Sequence, residues 1–352
     1  MLKYAVILCL LVLATPSSAL ARDKTDVVTM KNGDRFTCEI KGVRSGTLYL
    51  SFDYVIETIS VDWSKVVDIE SGRTFLLKTE DGSVYRGSLH IRSSVAAGPI
   101  TIEVMDDHDH TTTLERSRVI RIDPIDEQFW QRFNGAISSD LNYSKGNQAT
   151  QYNFISQTEY LRERWSAQID FNSNLATSSG DTVSTRHQLT LYGRHLLPQP
   201  QYFWGGVLSS LHSSEQGIHL QTSLGGGIGR YFTNTNSASV SVIGGLALQR
   251  TSYDQTVFPL PQQQVSTALI RIDARLFRFN RMNVSLTANV FPAISDPGRV
   301  YALMNAYYFI KLFRKISWNV SAYATVDTQP PIHFSGSDYG TSSGLSFTFG
   351  NR

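Results

Sequence analysis

The stretch KISWNVSAYATVD, residues 315–327, alternates without a break. Ile316, Trp318, Val320, Ala322, Ala324 and Val326 are apolar, and Ser317, Asn319, Ser321, Tyr323, Thr325 and Asp327 stand between them. Successive side chains of a strand point to opposite faces, so this stretch is greasy on one face and wet on the other. It is also about twice as long as a usual strand of a soluble domain.

It is not alone. About twelve such segments follow Pro124, near 133–144, 150–161, 164–176, 183–196, 202–213, 217–231, 237–252, 265–278, 281–291, 299–312, 315–327 and 340–350. In the eighth, Ala268, Ile270, Ile272 and Ala274 oppose Arg271, Asp273 and Arg275. In the ninth, Val284, Leu286, Ala288 and Val290 oppose Ser285, Thr287 and Asn289. A tilted strand of about 9–11 residues crosses a bilayer, and only a closed barrel satisfies every backbone group there. A secreted β-sandwich also alternates, but with shorter strands and an apolar inner face. The expectation is an all-β fold with a transmembrane antiparallel β-barrel of about twelve strands over residues 125–352.

The connections and strand ends agree with this. Those at 145–149, 177–182, 253–264 and 328–339 are mostly longer, whereas Arg162-Glu163 and Phe313-Arg314 are tight. Long and short connections alternate in outer-membrane barrels. Tyr160, Trp165, Trp204, Phe232, Phe313 and Trp318 lie near strand ends, where interfacial aromatic girdles form.

At the other end, MLKYAVILCLLVLATPSSALA has a basic start at Lys3, an apolar core and a small-x-small site at Ala19 and Ala21. It predicts a signal peptide over 1–21 and export to the envelope. Its removal leaves Cys38 as the single cysteine and takes one cation from the 32 Lys and Arg that face 30 Asp and Glu. An intramolecular disulfide framework is thereby excluded, and the near-neutral balance gives no reason to expect nucleic acid.

Residues 26–124 carry a repeat. NGDRFTCEI (32–40) aligns with DGSVYRGSL (81–89), and VDWSKVVDI (61–69) with LERSRVIRI (114–122). The repeat predicts a periplasmic tandem of small SH3- or Sm-like β-modules at 22–75 and 76–124, too small to be stable unless they pack together. One continuous two-sheet domain fits the pattern as well.

Several motifs have chemical potential, each beside a plainer reading. His212 and Ser214 in HSSEQG share a strand face and resemble the nucleophile region of outer-membrane phospholipase A, a small barrel with a Ser-His-Asn triad; the Asn-Gly expected after it is missing. DDHDH brings His108 and His110 together as metal-ligand candidates, though it reads more simply as a polar hairpin tip. GGGIGR, 225–230, sits inside a strand, where glycines make room for bulky neighbours rather than cradle phosphate. Asp170, Arg186, Arg194, Arg271, Asp273 and Arg275 belong to the polar face and would set selectivity if the lumen conducts; their mixed signs argue equally for a salt-bridged plug. No cofactor is expected.

SSGLSFTF places Ser342, Gly344, Phe347 and Phe349 in an arrangement that resembles the C-terminal signal read by the barrel assembly machinery, with Gly350-Asn351-Arg352 as an extension. With the N-terminal VVTMKNGDRFTCEI and VDWSKVVDIES, the chain resembles the YdiY-like family, a domain-of-unknown-function group of salt-induced outer-membrane proteins, most clearly over 130–352. The resemblance implies outer-membrane location and a link to salt stress, and transfers no catalytic residue. The expected function is non-enzymatic: a narrow passive channel, or an envelope-structural protein whose residues 26–124 bind a periplasmic protein or peptidoglycan. The alternative is a lipid hydrolase using Ser214 and His212. Outer-membrane lipids are expected partners in either case.

Overall fold

The computed structural model describes residues 24–350 except 93–99, 107–109, 126–128, 145–148, 163, 179–180, 200, 255–261, 279–281, 314 and 332–333. The expected signal segment with Ala19 and Ala21, and His108, lie outside the described residues.

The N-terminal part has nine strands: β1 (Asp26–Met30), β2 (Arg35–Arg44), β3 (Thr47–Ser51), β4 (Ile59–Asp62), β5 (Val66–Thr79), β6 (Val84–Arg92), β7 (Thr101–Met105), β8 (Thr111–Glu115) and β9 (Val119–Pro124). The repeat is visible in three dimensions. Gly33 and Gly82 take positive φ at equivalent hairpin tips, where an L side chain would be strained. Matching 3-10 turns, Trp63–Lys65 and Arg116–Arg118, lead into the closing strands.

The division at 75/76 is not reproduced as two separate barrels. It falls inside β5, which closes the first copy by pairing β1 and opens the second by pairing β6 and β9, with a register shift between Ser71 and Thr74. β9 reaches back to β2, so β1, β2, β9 and β5 form a closed ring of four strands, with β3–β4 and β6–β8 extending from it. Val28, Ile40, Leu48, Phe75, Leu89 and Ile122 belong to one buried cluster spanning both copies. Neither copy has enough apolar surface to make a core of its own, and sharing a strand lets one core serve both.

The second part is a closed barrel of twelve strands, each paired antiparallel with its chain neighbours. They are β10 (Phe133–Ser144), β11 (Ala149–Leu161), β12 (Trp165–Ser178), β13 (Asp181–Leu196), β14 (Tyr202–Ser213), β15 (Ile218–Asn234), β16 (Ala238–Tyr253), β17 (Gln263–Arg278), β18 (Met282–Pro292), β19 (Val300–Phe313), β20 (Ile316–Asp327) and β21 (Ser337–Phe349). The seam joins β10 to β21, from Gly135 opposite Phe349 to Ser139 opposite Leu345. The connection expected at 177–182 shrinks to residues 179–180, because β12 and β13 pair to their tips across a register shift at Ala176/Thr177.

The opening stretch is β20. Its Ser317, Asn319, Ser321, Thr325 and Asp327 are buried inside the barrel, while Trp318 is exposed outside. The same sense holds around the wall: Ile169, Leu208, Ile228, Leu246, Ile270 and Leu286 are exposed on the outer face. Within GGGIGR, a Cβ on Gly229 would lie 2.4 Å from Phe203 Cζ and 2.8 Å from Ile243 Cγ1, so this glycine makes room for two bulky inward neighbours.

The N-terminal sheet sits against the barrel end that carries the short connections. Asn236, in the turn between β15 and β16, donates its side-chain amide to Ser117 O (3.2 Å) and Val119 O (2.9 Å). Gly46 packs on the same residue, and Lys78 reaches the ring of Tyr231.

Candidate functional site in the barrel interior

Charges inside the barrel fall into three groups along its axis. At the end remote from the N-terminal sheet, Arg186 on β13 lies 3.6 Å from Asp338 on β21 and stacks over the Tyr323 ring at 4.1 Å. It also donates to Gln188 (2.6 Å) and to Thr325 (3.0 Å) across the lumen. Beside it Arg299 grips Asp327 with two nitrogens and donates to Tyr253 OH.

The middle group is on β17. Arg271 meets Asp273 through two 2.8 Å bonds, donates to Asn289 (3.1 Å) and lies 4.0 Å from the Tyr192 ring centroid. The Arg271 side chain is fully buried. Opposite β13's charges, an apolar inner patch of Phe203, Val207, Ile243, Leu269, Phe291 and Leu303 fills the space. A guanidinium out of water requires both a counter-ion and occupied donors, and this one has both. Asp170 on β12 accepts from Gln168 (2.7 Å) on the same strand.

Nearest the N-terminal sheet, Glu159 on β11 is shared by Arg194 (3.3 Å) and Arg275 (3.4 Å). Arg275 also donates to Gln168 (2.8 Å), and Arg194 to Ser166 (2.8 Å). This group opens on a chamber of about 310 Å³ between barrel and sheet, lined from the sheet side by Arg44, Lys78 and Arg121. Asp123 answers both Arg44 (2.9 Å) and Arg121. Burial raises its carboxyl, but the two guanidinium groups overcome that and hold it below the usual range. Lys78 makes no ion pair among the described residues; burial, then Arg194 and Arg121, push its amine down to about 7.

All six sequence-predicted lumen residues thus stand on the inner face, in different groups rather than one ring. Ser342 also faces inward and bonds Ser321 (2.6 Å); Gly344 leaves space for the Asp140 carboxylate, and Phe347 is exposed outside. Phe349 packs on Gly135 at the seam.

A family profile described as "Protein of unknown function, DUF481" matches residues 141–349, from within β10 to the end of β21. The chain belongs to the DUF481 family. The family region is the barrel, and the N-terminal sheet lies in front of it. Among solved structures the chain is similar to CdiB from Acinetobacter baumannii, at 9% identity and TM-score 0.33, over 65% of this chain and 61% of that one. It is also similar to a porin refined at 1.8 Å resolution, at 10% identity and TM-score 0.27, over 78% of this chain and 98% of that one. No curated protein matches.

Within this DUF481 barrel, His212 and Ser214 are not on the lumen or bonded together. Leu211 and Ser213 point inward, so the pleat turns His212 outward. Its Nε2 faces Thr185 Oγ1 (3.3 Å) and its Nδ1 faces His219 O (3.0 Å), while Ser214 Oγ accepts from Thr185 N (2.9 Å). His187 stacks on His212 and meets Ser173 Oγ (2.9 Å), a contact between strands that no local spacing announces. His110 is exposed, 3.8 Å from Asp106. Among the described residues no three His, Cys, Asp or Glu side chains are grouped to hold a metal.

Sequence reasoning missed Lys78, Arg121, Arg299 and Asp338. Asp338 shares the inward parity of Ser342, a signal that could have found it. Lys78 and Arg121 gain meaning only from the docking of the sheet.

Proposed function

We propose that this DUF481 protein is a non-enzymatic outer-membrane β-barrel that holds its N-terminal sheet against the periplasmic mouth and is closed to solutes by its own interior side chains. An outer face bearing Leu246, Ile228 and Leu208 supports immersion in lipid, and the closed ladder leaves no backbone edge there. Short connections on the side of the sheet support a periplasmic placement of that side. The YdiY-like naming, the salt-stress link, the signal peptide and assembly through the C-terminal strand belong to the same proposal. So does a role for residues 26–124 in holding a periplasmic protein or peptidoglycan.

The observation that carries the closed reading is the buried Arg271–Asp273 pair, under Tyr192 and beside the apolar inner patch. Full-length protein in a planar bilayer is expected to be silent. Discrete conductance steps that respond to charge reversal at Arg271 or Asp273 would overturn closure and make the lumen charges a selectivity set. Detergent-solubilised protein is expected to release no fatty acid from phospholipid, and release that is lost in Ser214→Ala would replace this reading with a hydrolase.

A further inference from the structure

We infer that the chamber between the N-terminal sheet and the barrel is a binding site for a small multivalent oxyanion, phosphate- or carboxylate-bearing, with Lys78 as its central ligand. The inference rests on the docked arrangement of the proposed function but not on whether the lumen conducts.

Charge is the first ground. Arg44, Lys78, Arg121, Arg194, Arg275 and Lys311 line the chamber, and its carboxylates among the described residues are Glu159 and Asp273. Asp273 is already held by the deeper Arg271. Glu159 is divided between two arginines, and Asp123, behind the wall, is divided between two others. Glu57 of the sheet faces Lys311. Each shared carboxylate therefore leaves one positive charge over, and Lys78 adds a third. Structural networks bring such excess close to zero, because unneutralised like charges repel strongly out of bulk water.

Size and shape are the second ground. A chamber of about 310 Å³ is at the small end of ligand pockets, enough for a pyrophosphate or tricarboxylate. Tyr231 presents its ring between Lys78 (5.9 Å) and Arg194 (5.7 Å), and so fixes both cations at one wall. Guanidinium forks and an ammonium together match the oxygens of a multivalent anion.

The third ground is strain in the protonation of Lys78. The groups facing it are Arg121 and Asp123 on β9, Arg194 on β13, Glu159 on β11 and Tyr231 on β15. Their sum leaves its amine titrating at about 7. Sign and window follow. An amine lowered on folding costs stability below pH 7, and the cost disappears as pH rises toward its ordinary value. A bound anion reverses this by favouring the ammonium, so binding takes up a proton near and above pH 7.

The test uses full-length protein in detergent, titrated calorimetrically with pyrophosphate, citrate or sulfate at matched ionic strength. Saturable binding of one equivalent is expected, at least tenfold weaker in Lys78→Met and unchanged in Lys31→Met, an exposed lysine elsewhere on the sheet. Pyrophosphate alone would assign a phosphate ligand and citrate alone a carboxylate ligand. For sulfate, which does not titrate in this range, affinity should fall between pH 7 and 9 in the native protein and stay flat in Lys78→Arg. No saturable binding of any anion, or equal binding by Lys78→Met, would overturn the site.

Docking is checked separately. A Cβ on Gly46 would lie 3.7 Å from Asn236 Cβ, near the separation of a disulfide, so Gly46→Cys with Asn236→Cys should cross-link on oxidation. Native Cys38 is buried and its thiol is pushed up to about 12, so it does not compete. A missing cross-link would sink the docked arrangement; a cross-linked protein that binds no anion would sink the site alone.

Discussion

In the N-terminal sheet Phe75, Leu77 and Ile91 are buried, and charged groups such as Arg35 and Glu70 look outward. In the barrel Asn319, Ser321 and Arg271 are buried, and Leu246, Ile228 and Phe347 look outward. Both regions are antiparallel β-structure with the same two-residue period. The difference lies in where the surroundings can satisfy polar groups. The sheet has water outside and turns apolar side chains away from it. The barrel holds its polar groups inside, where they satisfy one another, and presents hydrocarbon to hydrocarbon.

The contrast can be tested from its strongest point downward. Phe75→Ala should destabilise the N-terminal sheet by about 3–5 kcal/mol. Because both copies share one core, amide exchange should quicken in β1 as well as in β6; acceleration confined to residues after 75 would restore two independent modules. Leu246→Arg, on the outer belt, should cost the barrel about 2–4 kcal/mol in a bilayer. Refolding in lipid with heat-modifiable mobility as the readout measures it, and no loss would put the belt in water. Gly229→Ala should cost about 1–3 kcal/mol by overpacking against Phe203. Gly226→Ala on the opposite face serves as the control, since its Cβ would meet only Gly205 O at 3.2 Å. Asn236→Ala should weaken docking by about 1 kcal/mol, seen as faster proteolytic release of the sheet while the barrel stays folded.

How much was legible differs between the regions for a topological reason. Each barrel strand pairs only with its neighbours in the chain and with the seam, so a period-2 pattern and a turn are enough to place Ile316–Asp327 or Trp165–Ser178. Errors fall at tips, as at 177–182, where pairing continues past the end of apolar alternation. In the sheet, β1 pairs β5 and β9 pairs β2 across long separations. The repeat announced equivalent residues such as Ser64 and Ser117 but not which copy closes which ring. The lumen charges were legible by parity, Arg186 and Arg271 among them. Their partners were not, since Asp338 and Thr325 meet Arg186 only when the wall curves round. Lys78 carries no sequence signal at all, because its surroundings come from another domain.

The seam also imposes an order in time. β10 is the first wall strand made and β21 the last, and they match along only Gly135–Ser139 and Leu345–Phe349. Until Phe349 exists, β10 has one free edge and nothing in the chain to cover it. Eleven strands may be translated and paired, but the sheet stays an open ribbon throughout synthesis. Closure is therefore a single late event, and whatever escorts the ribbon across the envelope must guard that edge for the whole interval.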